Sequence, residues 1–284
     1  MFSFFKNKID PKAKLKKILK GYKLPSFPAV ILQILQKMRS PYASASNIAQ
    51  SLSLDPGLSV LLLRLANSAA FSPQNKVENL TQAIALVGLS QLESLVLGVG
   101  VAKGIPKKMC QWHDPATFWL TSARRAMLAQ ELAQILCPAK ESECFTAAFL
   151  QDMALPFLAC HRGDDYEPVF KKWHLEGGDL VQLEREVLAW DHAEVATWIC
   201  SEWGLPENIA LAIKNHHNIA AGDNDHETPG PVMLVSILRE DDANDGVEEM
   251  ITKAGELYNI SPEKMQSIIE PSFEKAKELA KMIV

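Results

Sequence analysis

Apolar residues along this chain recur at helical spacing, and the runs open on capping residues. No stretch alternates apolar and polar in the manner of a half-buried strand. Asp55-Pro56 starts one helix with an N-cap carboxylate and a proline in the first turn. Leu58, Leu61, Leu62, Leu65 and Ala69 then form its buried stripe. Asn79 starts another, with Gln82 three residues on, placed to reach back as in a capping box. Asp114-Pro115 opens a third, with Ala123, Met127, Leu128, Leu132 and Ile135 on one face and Pro138 beyond its end. Trp190 to Trp203 reads as a helix that Gly204 terminates. Ser261-Pro262 starts the last helix, towards Val284. The fold class expected is all-α, and no tandem repeat is found.

At 284 residues the chain is long enough for one large unit or two smaller ones. Its net charge of −5 supplies no global basic field, so nucleic acid is not an expected partner. The five cysteines are odd in number and none sits in a C-x-x-C pair, which suits reduced thiols better than a disulfide framework. Met1-Phe-Ser-Phe-Phe-Lys6 has no apolar core followed by a cleavage site, and a cytoplasmic location is expected. The most apolar stretch, Ala83 to Ala102, is interrupted by Gln91 and Glu93 and reads as buried helix rather than membrane span. Gly98-Val-Gly100 inside it lacks the Rossmann or Walker pattern. No cysteine or serine occupies a recognisable nucleophile motif.

Composition shifts divide the chain into a basic segment (1–23), an N-terminal helical sub-bundle (24–105), a second helical sub-bundle (106–220) and a C-terminal helical segment (221–284). Polar loops lie at 220–230 and 240–246, and the seam between the sub-bundles falls at Lys103 to Pro106. In the basic segment, eight lysines from Lys6 to Lys23 face only Asp10. It reads either as a weak peripheral contact with an anionic membrane or as a helix over 12–20 docked by Leu15, Ile18 and Leu19. Docking is preferred, with Met1 to Lys8 as a mobile tail.

Leu24-Pro-Ser-Phe-Pro28, Asp55-Pro56, Arg64-Leu-Ala-Asn-Ser68, Gln82-Ala-Ile84 and Val87-Gly-Leu89 resemble the N-terminal half of HDOD domains. Phe118-Trp119, Ala148-Phe-Leu-Gln-Asp152, Asp191-His-Ala-Glu194, Trp203-Gly-Leu-Pro206 and Asn215-His-His217 resemble the C-terminal half, in the same order, over roughly residues 20–240. The resemblance implies two packed helical sub-bundles, the second like that of the HD and HD-GYP metal phosphohydrolases, and a role in bacterial signalling.

Such hydrolases hold metal with histidines and an aspartate, and the metal makes hydroxide from water. Carried over residue by residue, the resemblance puts Thr121 at the first histidine position and Gln151 at the histidine of the His-Asp pair. It keeps Asp152, His192, His216 and His217, and replaces a final aspartate near Arg239. Thr121, Gln151, Asp152, His192, His216 and His217 are expected to form a pseudo-active-site groove. No catalytic residue, cofactor or tightly held metal is expected, Asp152, His192 and His216 being the weak candidate ligands. Thr121 or Gln151 is expected to fill the remaining space with hydrogen bonds.

Structural roles compete at each position. Asp152 could cap a helix or pair with His192. Asp191 and His192 could be an ordinary first turn. His216 and His217 could bond free carbonyls at a helix end. Arg64, Asn67 and Ser68 could satisfy backbone between helices. The functional expectation is a non-catalytic module binding a partner signalling protein, or a ligand such as a nucleotide second messenger. The alternative is a weak metal-dependent phosphohydrolase acting on phosphodiesters or nucleotides.

Overall fold

The structure, a computed structural model, describes residues 11–68, 71, 73–106, 114–176, 180–219, 228–240 and 245–283. Among them no β-strand occurs. The first part of the chain forms α1 (Pro11–Ile18), α2 (Ala29–Met38), α3 (Ala45–Leu52), α4 (Pro56–Ala66), α5 (Leu80–Val87) and α6 (Leu89–Gly104). The second forms α7 (Pro115–Leu136), α8 (Glu141–Leu150), α9 (Leu155–Glu176), α10 (Leu180–Leu188), α11 (His192–Trp203), α12 (Glu207–Lys214), α13 (Gly230–Val235), α14 (Val247–Tyr258) and α15 (Pro262–Ile283). Ala69, the Met1 to Lys8 tail, and most of both polar loops lie outside the described residues.

The capping residues do their local work. Asp55 accepts from the Leu58 N–H at 3.1 Å, Asn79 from that of Gln82 at 2.9 Å and Asp114 from that of Thr117 at 3.0 Å. Each satisfies a donor that the first helical turn leaves without an intrahelical partner. Gly204 ends α11 at φ +65°.

Two details differ from the expectation. Ala83 to Ala102 is not one helix. Gly88, at φ +85°, breaks it, and α5 and α6 meet at a bend of 108°. An L side chain rarely adopts that backbone, so glycine makes the corner possible. Ile135 is exposed rather than part of the α7 stripe. No single described helix is long and apolar enough to cross a membrane.

Helices α2 to α6 pack on one another, as do α7, α8, α11, α12, α13 and α15, and α6 lies against α8 across the two groups. The buried apolar side chains form one connected core from Leu15 to Ala280. Leu15, Ile18 and Leu19 are buried, so α1 docks on the bundle, with the Lys14 ammonium 4.6 Å from the Trp198 ring centroid. Trp203 on α11 donates its indole N–H to the Pro25 carbonyl at 2.9 Å and packs on Phe27, which ties the Leu24–Pro28 segment to the second group.

Close approach within α6 has a measurable consequence. A Cβ at Gly100 would stand 2.5 Å from Phe27 and 2.8 Å from Ile31, whereas one at Gly163 meets nothing within 4 Å. Gly100→Ala is therefore expected to lower unfolding free energy by about 1–3 kcal/mol. Gly163→Ala should be neutral or stabilising by up to about 1 kcal/mol. Urea unfolding of both variants checks this, and equal effects would contradict the packing described.

Candidate functional site

Helices α7, α8, α11, α12 and α13 bring polar groups into an otherwise apolar centre. Thr121 and Arg125 lie one turn apart on α7, on the same face, and both are buried. Gln151 and Asp152 follow the end of α8 and are buried too. Asp191 caps α11 by accepting from the Glu194 N–H at 2.7 Å, which places His192 as the first helical residue, facing inward. His216 and His217 follow Asn215, the C-cap of α12. His216 is buried and His217 half-buried.

The imidazoles are oriented by their outer nitrogens. His192 Nδ1 lies 2.7 Å from Glu184 Oε2, and His216 Nδ1 donates to the Ile213 carbonyl at 2.6 Å. Their Nε2 atoms then face each other at 3.4 Å, and His217 Nε2 stands 2.9 Å from that of His192. Asp152 Oδ1 is 3.4 Å from His192 Nε2 and 3.3 Å from His216 Nε2. The structure thus gathers Asp152, His192, His216 and His217, with candidate donor atoms all within 4.8 Å of one another. His216 makes the carbonyl bond of a helix end and faces the centre at the same time.

The other carboxylate oxygen of Asp152 is taken. Arg125 donates to Asp152 Oδ2 from one terminal nitrogen, and to the Leu238 carbonyl from the other at 2.5 Å and from Nε at 3.2 Å. Arg239, near the position of the replaced aspartate, turns to Glu249 at 2.7 Å. Among the described residues, the arginine that turns to the Asp152 carboxylate is Arg125. Glu240 shares its field: desolvation pushes the Glu240 carboxyl up to about 7, Arg125 pulls it down, and Asp152 and Asp114 push it up. For Asp152, burial opposes ionisation, but Arg125, then His192 and His216, hold its carboxyl well below the usual range. Burial likewise opposes charge on His192, yet Glu184 and Asp152 outweigh it and raise that imidazole to about 10. Desolvation and the neighbouring His216 and His192 keep His217 well below its ordinary value.

The donor set fits one divalent transition ion. Donors around a tetrahedral ion bonded at 2.0–2.2 Å stand about 3.3–3.5 Å apart, close to three of the separations above. Asp152 Oδ1 is buried with no hydrogen-bond partner. Fixing Nδ1 of two imidazoles so that Nε2 faces the centre is the outer-shell arrangement metal sites use. On the Oδ2 side the guanidinium of Arg125 occupies the place beside the carboxylate, and neither Thr121 nor Gln151 offers an imidazole. Of Thr121 and Gln151, either expected to fill the remaining space with hydrogen bonds, Gln151 has both amide atoms buried without a partner among the described residues.

The family model for the HDOD domain matches residues 24–219. The chain belongs to the HDOD family. A structure from Shewanella amazonensis SB2B, named as a phosphohydrolase, superposes with a TM-score of 0.73 at 20% identity, covering 96% of this chain and 99% of that one. An HDOD domain protein of unknown function from Geobacter sulfurreducens gives 0.70 at 20% identity, covering 95% and 98%. A Marinobacter aquaeolei VT8 protein named for signal transduction gives 0.72 at 17%, covering 96% of this chain and 65% of that one. An uncharacterised protein of Treponema pallidum is 23% identical over 201 residues, 69% of this chain but 38% of that protein. At these identities the structural likeness establishes the shared helical fold alone.

Within this HDOD domain, Arg64-Leu-Ala-Asn-Ser68 divides between roles. Asn67 is bound to the Leu63 carbonyl and to both backbone groups of Val77, and Ser68 to the Leu65 carbonyl. Arg64 is exposed and lines a surface hollow of about 720 Å³ with Val60, Lys76 and Glu78. Sequence reasoning missed Arg125, Glu184, Tyr166 and Glu240. A trace of Glu184 is present, since it falls on the apolar stripe of Leu180 and Val181. It is fully buried and accepts from the Tyr166 hydroxyl and from both the backbone N–H and the Nδ1 side of His192. Arg125 lies between Ala123 and Ala126–Met127, a charge inside an apolar face.

Removing one partner of a buried ion pair strands the other charge. Arg125→Leu is expected to cost about 3–5 kcal/mol of stability on that ground. The double variant Arg125→Leu/Asp152→Leu should recover a large part of that loss. A double-mutant cycle by urea unfolding measures it, and simple additivity would mean that the pair is not coupled.

Proposed function

We propose that this HDOD domain is a non-catalytic signal-transduction module, bacterial and cytoplasmic, that binds a partner protein or a small ligand. The Arg125–Asp152 ion pair carries this reading. In HD-type chemistry, metal held by histidines and such a carboxylate would activate water and polarise phosphoryl oxygens. Here a guanidinium, which does not release its proton in proteins, holds one side. Thr121 and Gln151, where the resemblance has imidazoles, remove two further ligands. What the remaining groups do well is hold geometry: Glu184 and Ile213 fix two rings, and the rings and Arg125 fix Asp152. The name of the Marinobacter protein agrees with a signalling role, and the exposed Arg64 leaves part of a family motif available to a partner.

A specific observation favours a second reading, a weak metal-dependent phosphohydrolase. Asp152 Oδ1 and the Nε2 atoms of His192, His216 and His217 would hold a single ion, which would supply Lewis-acid polarisation and a more acidic bound water. The name of the Shewanella protein lies on that side. His217, the half-buried member of the set, is where solvent would reach it.

The two readings separate in one set of measurements on the full chain. Elemental analysis and turnover of bis(p-nitrophenyl) phosphate and a cyclic dinucleotide, with and without Mn²⁺, are expected to give substoichiometric metal and no hydrolysis. Stoichiometric metal, with turnover that follows it and disappears in His192→Ala, would replace the first reading by the second. Thr121→His with Gln151→His is expected to raise metal affinity if the helices keep the family geometry. Asp152→Asn, compared with wild type in thermal melts and partner pull-downs, tests the signalling role. Loss of partner binding at unchanged melting temperature supports it, and a fall in stability alone reduces the centre to scaffold.

A further inference from the structure

At the corner between α7 and α8, a tight connection places two thiols together. Cys137 caps the C-terminal end of α7 with φ −153° and ψ 68°, a single 3-10 turn spans Pro138–Lys140, and Cys144 lies in the first turn of α8. The two Sγ atoms are 3.9 Å apart. Cys144 is fully buried and Cys137 half-buried, so an oxidant arriving from solvent meets Cys137 first. The hydrogen bond with Cys137, and then burial, keep Cys144 a thiol far above its ordinary range. Cys137 is thus the sulfur that solvent reaches first, and Cys144 can act as a nucleophile only by giving up its proton as it attacks. Nothing in the Asp152 centre uses either group.

We propose that Cys137 and Cys144 form a reversible redox site that hydroperoxides oxidise to a disulfide. In the first step the Cys137 sulfur, having lost its proton, attacks the terminal oxygen of ROOH. The S–O bond forms, the O–O bond breaks, and RO⁻ leaves and takes up the proton as ROH. Cys137 is now a sulfenic acid. In the second step the Cys144 sulfur attacks the Cys137 sulfur: the S–S bond forms, the S–O bond breaks, and hydroxide leaves with the Cys144 proton as water. The two thiols together give up two electrons, which reduce the peroxide. A dithiol reductant reverses the change by exchange. The sulfurs must close from 3.9 Å to about 2.0 Å, and Cys137 lies just beyond the last turn of α7. Transient disulfides of this kind are the form compatible with a reducing compartment.

The bond would staple α7 to α8, the helix that bears Thr121 and Arg125 to the one that leads into Gln151 and Asp152. Cys137 is about 18 Å along α7 from Arg125 by helical rise, so the staple acts on the corner rather than on the polar centre.

The test uses the full chain carrying Cys110→Ser and Cys160→Ser, which leaves Cys137, Cys144 and the buried Cys200. It is treated with hydrogen peroxide, alkylated and weighed. The expected result is a loss of two hydrogens and of two alkylatable thiols, both restored by dithiothreitol. Trypsin cuts after Lys140, between the two cysteines, so a cross-linked peptide pair should appear, together with slower amide exchange through 136–144. Cys137→Ser and Cys144→Ser should each abolish the cross-link, with Cys144→Ala as the second variant should serine not fold at the buried position. The proposal is overturned by sulfinic acid at Cys137 with Cys144 still reduced. A peroxide-induced disulfide to another cysteine in the wild-type chain, or an unchanged exchange rate at the corner once the bond has formed, overturns it as well.

Discussion

A buried carboxylate has to be neutralised, and in this protein five helices are arranged around that requirement. Asp152 sits where water does not solvate it, and an unpaired charge there would cost more than the domain can spare. Arg125 from α7 meets one oxygen, and imidazoles from the start of α11 and the end of α12 surround the other. The turn that follows α13 contributes the Leu238 carbonyl that holds the guanidinium in place. Each group arrives from a helix terminus or an inward face, so the arrangement depends on where those helices start and stop.

The termini were legible because capping is local. Asp55, Asn79, Asp114 and Asp191 sit a few residues from the N–H groups that they satisfy, and the sequence shows both. The break at Gly88 was not legible. The residues on both sides are apolar, and only the packing of α5 and α6 in different directions calls for a positive φ between them. The inward arginine was hidden for a related reason. Arg124 and Arg125 are neighbours, but one helical step rotates a side chain by about 100°. Arg124 lies over the Phe273 ring while Arg125 turns to Asp152. Between α13 and α14 the regular period is lost, and there the sequence could not tell that Arg239 faces Glu249 while Glu240 lies in the field of Arg125.

His192, His216 and His217 sit within a longer chain of hydrogen bonds. Tyr166 donates to Glu184, Glu184 fixes the Nδ1 side of His192, and His192 faces Asp152. Such a chain holds rings in place whether or not an ion is bound, because its members are buried or half-buried and each holds the next. Retention of histidines and a changed chemistry are therefore compatible. The same contacts that would support a metal also stabilise a centre organised around a guanidinium.

Helix α8 reaches in two directions. Its end leads into Asp152, and three residues earlier Phe149 lays its ring so close to α6 that a Cβ on Gly98 would come within 2.9 Å of it. A side chain wedged that tightly cannot follow a shift of α8 without pushing on the helix opposite, because interiors at crystal-like density have little slack. The carboxylate and the N-terminal helices are thus mechanically geared. A ligand or partner that moves one of them by a fraction of an ångström would be felt on the far side of the molecule, without any hinge or mobile loop between them.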